Sequence, residues 1–499
     1  HGGAGQVSGS LSILDTPHSS IMVDCGAYYP DGEGTAKGRE GRAQQLSLLL
    51  PEGATGVDAV FLTHEHLDHI GRLILLVKKG YKNPIYGSKL TLEIASPMLL
   101  MQARYDNNEV RNWVWSDNKS KGRDYFKVHW RRECTWGNRI KALNKRAYRA
   151  ALPDLEKKLE GMSASPCKVC GEIEIRPVLA LFDILEKNKS YSMFEDVEVM
   201  AINAGHIPGS CSWIFTIKYN EEKTRVLFSG DVGNPHSTII EGPEPPLHVD
   251  YVFMETTYGC KKLKDDPSAE LNKFRTELAE VVSGGGIAWI PAFALDRTQK
   301  ILHQINMLNI DVPIYCPSPT ANKISDLYEK YSATAEFKNS WARDISNLRP
   351  KNYSKEFLDE IVSPSIIVTT SGMMERAFSE GLLDNLLPKE EVTVFLVGYQ
   401  DPYSPGGILY KGGRKINGID VKANVRFIAG FSSHGKANDM DDWLANQTKT
   451  GTTLFLVHGD ADALNNRRQC LLDEEWSYVV VPKPGQSISL NRLNTPILK

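Results

Sequence analysis

Short apolar runs rich in strand formers recur through the first part of the chain with Gly-rich turns between them: Leu11–Leu14, Ser20–Asp24, Ala59–Thr63, Val197–Asn203, Ser212–Lys218, Arg225–Ser229 and Asp250–Glu255. After the third run, Ile70 to Lys79 carries apolar residues at helical spacing and Gly80 follows as a C-cap, so a helix is expected there. Residues 91–190 interrupt the pattern with a polar, helix-leaning stretch that reads as an insertion of about 105–190. From about Asp266 the rhythm becomes strand–helix alternation: Ile287–Pro291 then Leu295–Leu308, Pro313–Cys316 then Ser318–Tyr331, and Ser365–Thr370 before another helix. That alternation predicts a parallel sheet flanked by helices. After about Val421 the first rhythm returns, with Val425–Ala429, a helix near Met440–Gln447 and Thr452–His458. One domain inserted into another accounts for this better than two in tandem, with divisions at 1–259, 260–431 and 432–499.

Composition narrows the class. With 41% hydrophobic and 24% charged residues the chain can build large cores as an ordinary globular protein. No apolar run approaches the ~18 residues of a membrane span, and the opening HGGAGQVSGS lacks a signal-peptide layout, so a cytoplasmic protein with no membrane partner is expected. Because the chain begins at His1, a short leading segment with a further strand is expected before it. The eight cysteines do not form a disulfide framework, and most are expected as buried thiols. One spacing stands out: Cys167-Lys-Val-Cys170, which with Cys134 and His129 could close a structural Zn²⁺ site, against the alternative of free thiols. A net charge of −3 gives no global attraction to nucleic acid. A local basic surface is available in 104–158, where Arg104, Lys121, Arg132 and Lys145 interleave with Tyr105, Trp113, Trp130 and Trp136. A solvated helical insert accounts for it equally well.

The chemistry is concentrated in FLTHEHLDHIGRL, which supplies His64, His66, Asp68 and His69 on a strand-to-helix turn. Imidazoles and a carboxylate at this spacing suit Zn²⁺, Mn²⁺ or Fe²⁺, and few structural roles need all four. His64 and His66 can point one way from an extended turn, with Asp68 and His69 projecting from the first helical turn toward a second metal. Further ligand types follow strands: His206 in NAGHIPGS, Asp231 in LFSGDVG and His458 in LFLVHG. Singly each is weak, since an Asp after a strand is usually a turn residue. Jointly they complete two metal shells.

In that order, Asp24 in VDCG, HEHLDH, His206, Asp231, Glu255 in METTYG, PAFALDRTQ with Arg297, Ser371-Gly-Met, His434 in GFSSHGK and His458 resemble the metallo-β-lactamase fold, and within it the β-CASP nucleases. The resemblance covers nearly all the chain outside 105–190. It implies an αββα sandwich with an inserted β-CASP domain of mixed α/β type. It also implies one metal on His64, His66 and His206, the other on Asp68, His69 and His458, Asp231 bridging both, and Asp24 orienting ligand histidines from behind. The histidine at 458 resembles the RNA-processing branch. The implied activity is therefore hydrolysis of single-stranded RNA, as an endonuclease or a 5′-to-3′ exonuclease, by hydroxide activated on two Zn²⁺ or Mn²⁺, leaving a 5′-phosphate and a 3′-hydroxyl. A homodimer is compatible with it.

Arg297, at a helix start, is expected to grip a phosphate, with Ser371, Gly372 and Ser433 beside it. Asp68, Glu255, His434 and Asp24 make up the expected catalytic set. His434 is read as a general acid held by Glu255 rather than as a ligand, because the leaving 3′-oxygen needs a proton and the metals are supplied without it. Three other readings stay open: a DNA nuclease of the same fold, a hydrolase of small esters, thioesters or lactams, and a non-catalytic scaffold.

Overall fold

The computed structural model describes residues 1–29, 46–118, 175–262, 267–338, 348–349, 361–375, 377–490 and 497–498. The residues expected to hold a structural zinc, His129, Cys134, Cys167 and Cys170, lie outside them, as do the side chains of the basic stretch 104–158.

Two sheets face each other. The first is five-stranded, in the order Ser12–Asp15, Ser20–Val23, Ala59–Phe61, Ile85–Gly87 and Phe182–Ile184. The second is seven-stranded, running Val479–Val480, Thr453–Val457, Tyr251–Glu255, Glu222–Phe228, Cys211–Tyr219, Val197–Asn203 and Ser190–Ser192. Alternate residues of both meet in one apolar layer containing Phe61, Val199, Trp213, Phe215 and Phe455, as the period-2 pattern demands. Helices Leu67–Ile70, Leu73–Lys78 and Lys89–Asn118 cover the first sheet, and Ala437–Trp443 and Ala461–Asp473 cover the second. The result is an αββα sandwich.

A third, six-stranded sheet is parallel throughout, in the order Leu348–Arg349, Ile314–Tyr315, Ser365–Thr369, Ile287–Pro291, Val392–Leu396 and Asn424–Phe427. Its central strands IAWIP, SIIVT and VTVFL are buried at every position, because helices pack on both faces. It meets the sandwich through helix Pro319–Tyr331 against Lys89–Asn118 and through a bridge between Ile240 and Phe337.

The run near Val425, which carries the first rhythm, lies inside the 260–431 division: Asn424–Phe427 runs parallel to Val392–Leu396 in the third sheet. Two expectations change. Helix 70–79 is broken at Gly71 and Arg72, because Arg72 is turned inward, 3% exposed, to donate to the carbonyls of Gly26, Leu49 and Gly9. Cys260 and Cys470, expected as thiols, form a disulfide across 210 residues, while Cys25, Cys211 and Cys316 are buried thiols. Among the described residues no helix is long and apolar enough to cross a membrane.

Trp213 ties the sandwich to the motif strand: its ring packs edge-on against Phe61 at 5.1 Å and its Nε1 donates to the Leu62 carbonyl at 2.9 Å. Trp213→Ala is expected to cost about 3–5 kcal/mol of stability, read as a lower denaturant midpoint. A change within about 0.5 kcal/mol would mean that this contact does not anchor the strand.

Candidate metal centre

Strand register assembles the site. Tyr251–Glu255 pairs in parallel with Thr453–Val457, Glu255 opposite Val457, and with Glu222–Phe228, Phe253 opposite Phe228. Parallel strands end on the same edge, so Asp231, Glu255 and His458 emerge together. In the first sheet Val23 lies opposite Phe61, which brings Asp24 beside Leu62-Thr63-His64. The antiparallel pair Asn203–Cys211 closes the loop that carries His206, and the Cys211 amide donates to the Thr63 carbonyl at 2.7 Å, docking that loop on the motif strand.

Close backbone approaches are needed to bring these loops into contact. A Cβ on Gly26 would stand 1.4 Å from the Asp68 carbonyl oxygen, and one on Gly233 would stand 1.7 Å from that of Gly205. Only glycine lets the Asp24 loop touch the Asp68 turn, or the Asp231 loop touch the His206 loop. Asp24 and His458 have φ of 60° and 52°, a region disfavoured for side-chain-bearing residues and tolerated where surroundings over-determine it.

The seven ligand-type residues converge as two groups. In one, His66 Nδ1 lies 3.0 Å from His64 Nε2 and 3.3 Å from His206 Nε2, while Asp231 Oδ2 lies 3.5 and 3.6 Å from His64 Nε2 and His206 Nε2. In the other, His69 Nε2 and His458 Nε2 are 3.3 Å apart, and Asp68 Oδ2 lies 3.5 Å from His458 Nε2. The second oxygen of Asp231, Oδ1, lies 3.3 Å from both His69 Nε2 and His458 Nδ1. One carboxylate thus turns one oxygen to each group.

Burial favours bare lone pairs on three of these rings. Burial pushes the His64 and His206 imidazoles well below their ordinary pKa, and burial also lowers His66. Burial opposes a charge on His69 too, but the Asp231 and Asp24 carboxylates outweigh it and raise that ring. Asp231 is held well below the carboxylate range, the charges of His458, His69 and His64 overcoming its burial. Its Oδ1 is buried without a hydrogen-bond partner. Ring nitrogens facing one another around a buried carboxylate are a donor set that fits two divalent cations.

Behind the ligands, Asp24 Oδ2 accepts from His69 Nδ1 at 2.7 Å and from the Thr63 hydroxyl at 2.8 Å, while Asp24 Oδ1 accepts from the Thr63 amide at 2.8 Å. With its proton on Asp24, the Thr63 oxygen is left to accept from His64 Nδ1 at 3.1 Å. Both rings thereby have Nδ1 engaged from behind and turn Nε2 toward the ligand groups. Thr257 Oγ1 stands 3.3 Å from His458 Nδ1. Sequence reasoning missed Thr63 and Thr257, and only the position of Thr63 beside the first ligand could have signalled it.

His434 stands at the rim. Its Nδ1 is 2.9 Å from Glu255 Oε1, and its Nε2 is 4.0 Å from Asp231 Oδ2. Burial alone would push the imidazole down, but the charge and hydrogen bond of Glu255, with Asp231 and Asp68 behind, carry it up to about 9.

The expected phosphate contacts are placed differently from one another. Ser371 and Gly372 follow strand Ser365–Thr369, and Arg297 lies over Gly398 at the same edge of the third sheet, with Nη1 donating to the Val397 carbonyl at 2.6 Å. One arm of that guanidinium is therefore engaged within the protein. Ser371 Oγ donates to the Glu375 carbonyl. Ser433 is 6% exposed and hydrogen-bonded to Asp296 and Lys300, so its hydroxyl serves the protein interior rather than a phosphate.

Comparison with known proteins agrees with this geometry. The Metallo-beta-lactamase superfamily model matches residues 4–257, the Beta-Casp domain model residues 298–409, and the model described as a Zn-dependent metallo-hydrolase RNA specificity domain residues 418–482. Ribonuclease TTHA0252 of Thermus thermophilus is 25% identical over 93% of this chain and 93% of its own length. Probable RNase MJ4 of Methanocaldococcus jannaschii is 24% identical over 98% of this chain and 99% of its own, and RNase aCSPSF2 of Saccharolobus solfataricus is 24% identical over 98% and 84%. With a sandwich match spanning half the sequence and the third sheet falling where the second model lies, this chain belongs to the metallo-beta-lactamase superfamily and carries an inserted Beta-Casp domain.

Proposed function

We propose that this protein is a metal-dependent ribonuclease that hydrolyses phosphodiester bonds of single-stranded RNA. The observation that carries the reading is the Asp231 carboxylate shared between two histidine groups, with the Glu255–His434 pair at their rim. The names of the three relatives and the RNA specificity description over 418–482, a span that includes His434 and His458, support RNA as the substrate.

His64, His66 and His206 would hold one divalent cation, Asp68, His69 and His458 the other, with Asp231 contributing to both. When bound, such ions supply Lewis acidity that lowers the pKa of water and neutralises the phosphodiester oxygens. Asp24 and Thr63 fix which ring nitrogens carry protons. Glu255 accepts from His434 Nδ1 and keeps that ring protonated at neutrality, so Nε2 can give its proton to the departing 3′-oxygen. Expulsion of that oxygen leaves a 5′-phosphate and a 3′-hydroxyl. A general acid of this kind contributes about 10²–10⁴-fold in rate.

Digestion of single-stranded RNA beside single-stranded DNA tests the substrate: RNA should be cut to 5′-phosphorylated products and DNA much more slowly, and equal rates would overturn the assignment. Metal analysis of the loaded protein should give two ions per chain, and Asp231→Ala should weaken both sites together; loss of one ion alone would contradict a shared carboxylate. His434→Ala should retain both ions and bind RNA but cleave about 10²–10⁴-fold more slowly, with the defect shrinking when the 3′-oxygen is replaced by sulfur, which leaves without a proton. If that variant instead loses an ion, His434 is a ligand.

A further inference from the structure

The turn between strand Ile287–Pro291 and helix Arg297–Asn306 buries an ion pair. Asp296 is 1% and Lys300 6% exposed, and Lys300 Nζ lies 2.6 Å from Asp296 Oδ2. Lys300 also donates to Ser433 Oγ at 2.8 Å, and Ser433 Oγ donates to Asp296 Oδ2 at 2.5 Å. The Tyr328 hydroxyl donates to Asp296 Oδ1 at 3.3 Å.

Two features of this pair are costly if stability is its purpose. Asp296 has a φ of 63°, in the region that favours glycine. It occupies the N-cap of its helix yet makes no side-chain capping bond, the role in which an Asp ordinarily helps a helix. A buried ion pair is moreover often no more stabilising than apolar side chains of similar volume.

What the pair does reach is the residue before His434. On the sandwich side this segment is held by the Asn234 amide donating to the Ser433 carbonyl at 2.8 Å, by a bridge between Gly233 and His434, and by the Tyr258 hydroxyl donating to Ser432 Oγ at 2.8 Å. The Ser433 side chain is gripped from the inserted domain by Asp296 and Lys300. We infer that Asp296 and Lys300 are positioning residues for His434, a charged strut from the inserted domain that acts through Ser433 to hold the imidazole at its place between Glu255 and Asp231. This rests on the reading of His434 as a proton donor. Proton transfer requires hydrogen-bond reach, and a misplacement of about 1 Å can cost on the order of 10²-fold in rate.

The test uses the full chain loaded with metal and the double substitution Asp296→Gly and Lys300→Met, which removes both charges of the pair together and gives the positive φ to glycine. Ser433→Ala, which keeps the ion pair and cuts only the link, is the second variant. Both should fold with melting temperatures near that of the parent, retain their ions, and in the cation-free form bind an RNA oligonucleotide within about twofold of the parent. On that RNA their kcat should fall about 10–10²-fold with KM unchanged, and the loss should shrink on the 3′-sulfur substrate, as for His434→Ala. Parental kcat, a raised KM at constant kcat, loss of an ion, or a defect undiminished by sulfur would each overturn the strut. His434→Ala run in parallel separates the two readings: if it is slow and rescued by sulfur while both variants match the parent, only the strut fails, whereas no loss of rate in His434→Ala removes the general acid and the strut with it.

Discussion

Asp231 is a carboxylate taken out of water, 2% exposed, and the groups within 4 Å of it are imidazoles rather than lysines or arginines. Burying an anion without fixed positive charge is expensive, so the fold must deliver compensation at that point. Part of it comes from His69 and His434, both raised by the carboxylates beside them, whereas a neutral imidazole contributes only by passing on the charge of something it binds. Burial holds His64, His66 and His206 in the neutral state that makes them ligands. The same desolvation leaves a donor set suited to divalent cations, and the convergent strand ends bring that set together.

The need for convergence explains the local irregularities. Positive φ at Asp24 and His458, and close backbone approaches at Gly26 and Gly233, all occur where a strand end must turn to face the same small volume. Asp24 and Thr63 then act on the outer nitrogens of His69 and His64, turning their Nε2 atoms toward the centre.

The inserted sheet is part of this arrangement rather than an appendage. Glu336 accepts from the Gly209 amide in the His206 loop and pairs with Lys187 at 3.3 Å, while Ile240 and Phe337 bridge the two units. Together with the Asp296–Lys300 pair, these contacts set the inserted domain against the rim where His434 stands.

Much of this was legible in the chain because it is local. Period-2 apolar runs mark the strands of the sandwich, near-continuous apolar runs mark the buried parallel sheet, and the spacing of His64, His66, Asp68 and His69 puts four ligands on one turn. Helix 70–79 was misread as continuous because its break depends on Arg72 finding three carbonyls far away in sequence. Asn424–Phe427 carries the rhythm of the sandwich strands yet pairs in the third sheet, because a strand's own pattern does not name its partner. The Cys260–Cys470 bond and the Ser433–Asp296 contact span 210 and 137 residues, and no spacing rule reaches that far. The sequence by itself determined which residue types stand at the strand ends and the chemistry they can hold, since periodicity and ligand identity are properties of a few neighbouring residues. Which oxygen of Asp231 faces which histidines, which nitrogens are free to bind, and what grips His434 were decided only by tertiary structure, because strand register, burial and buried charge pairing exist only once distant segments have packed together.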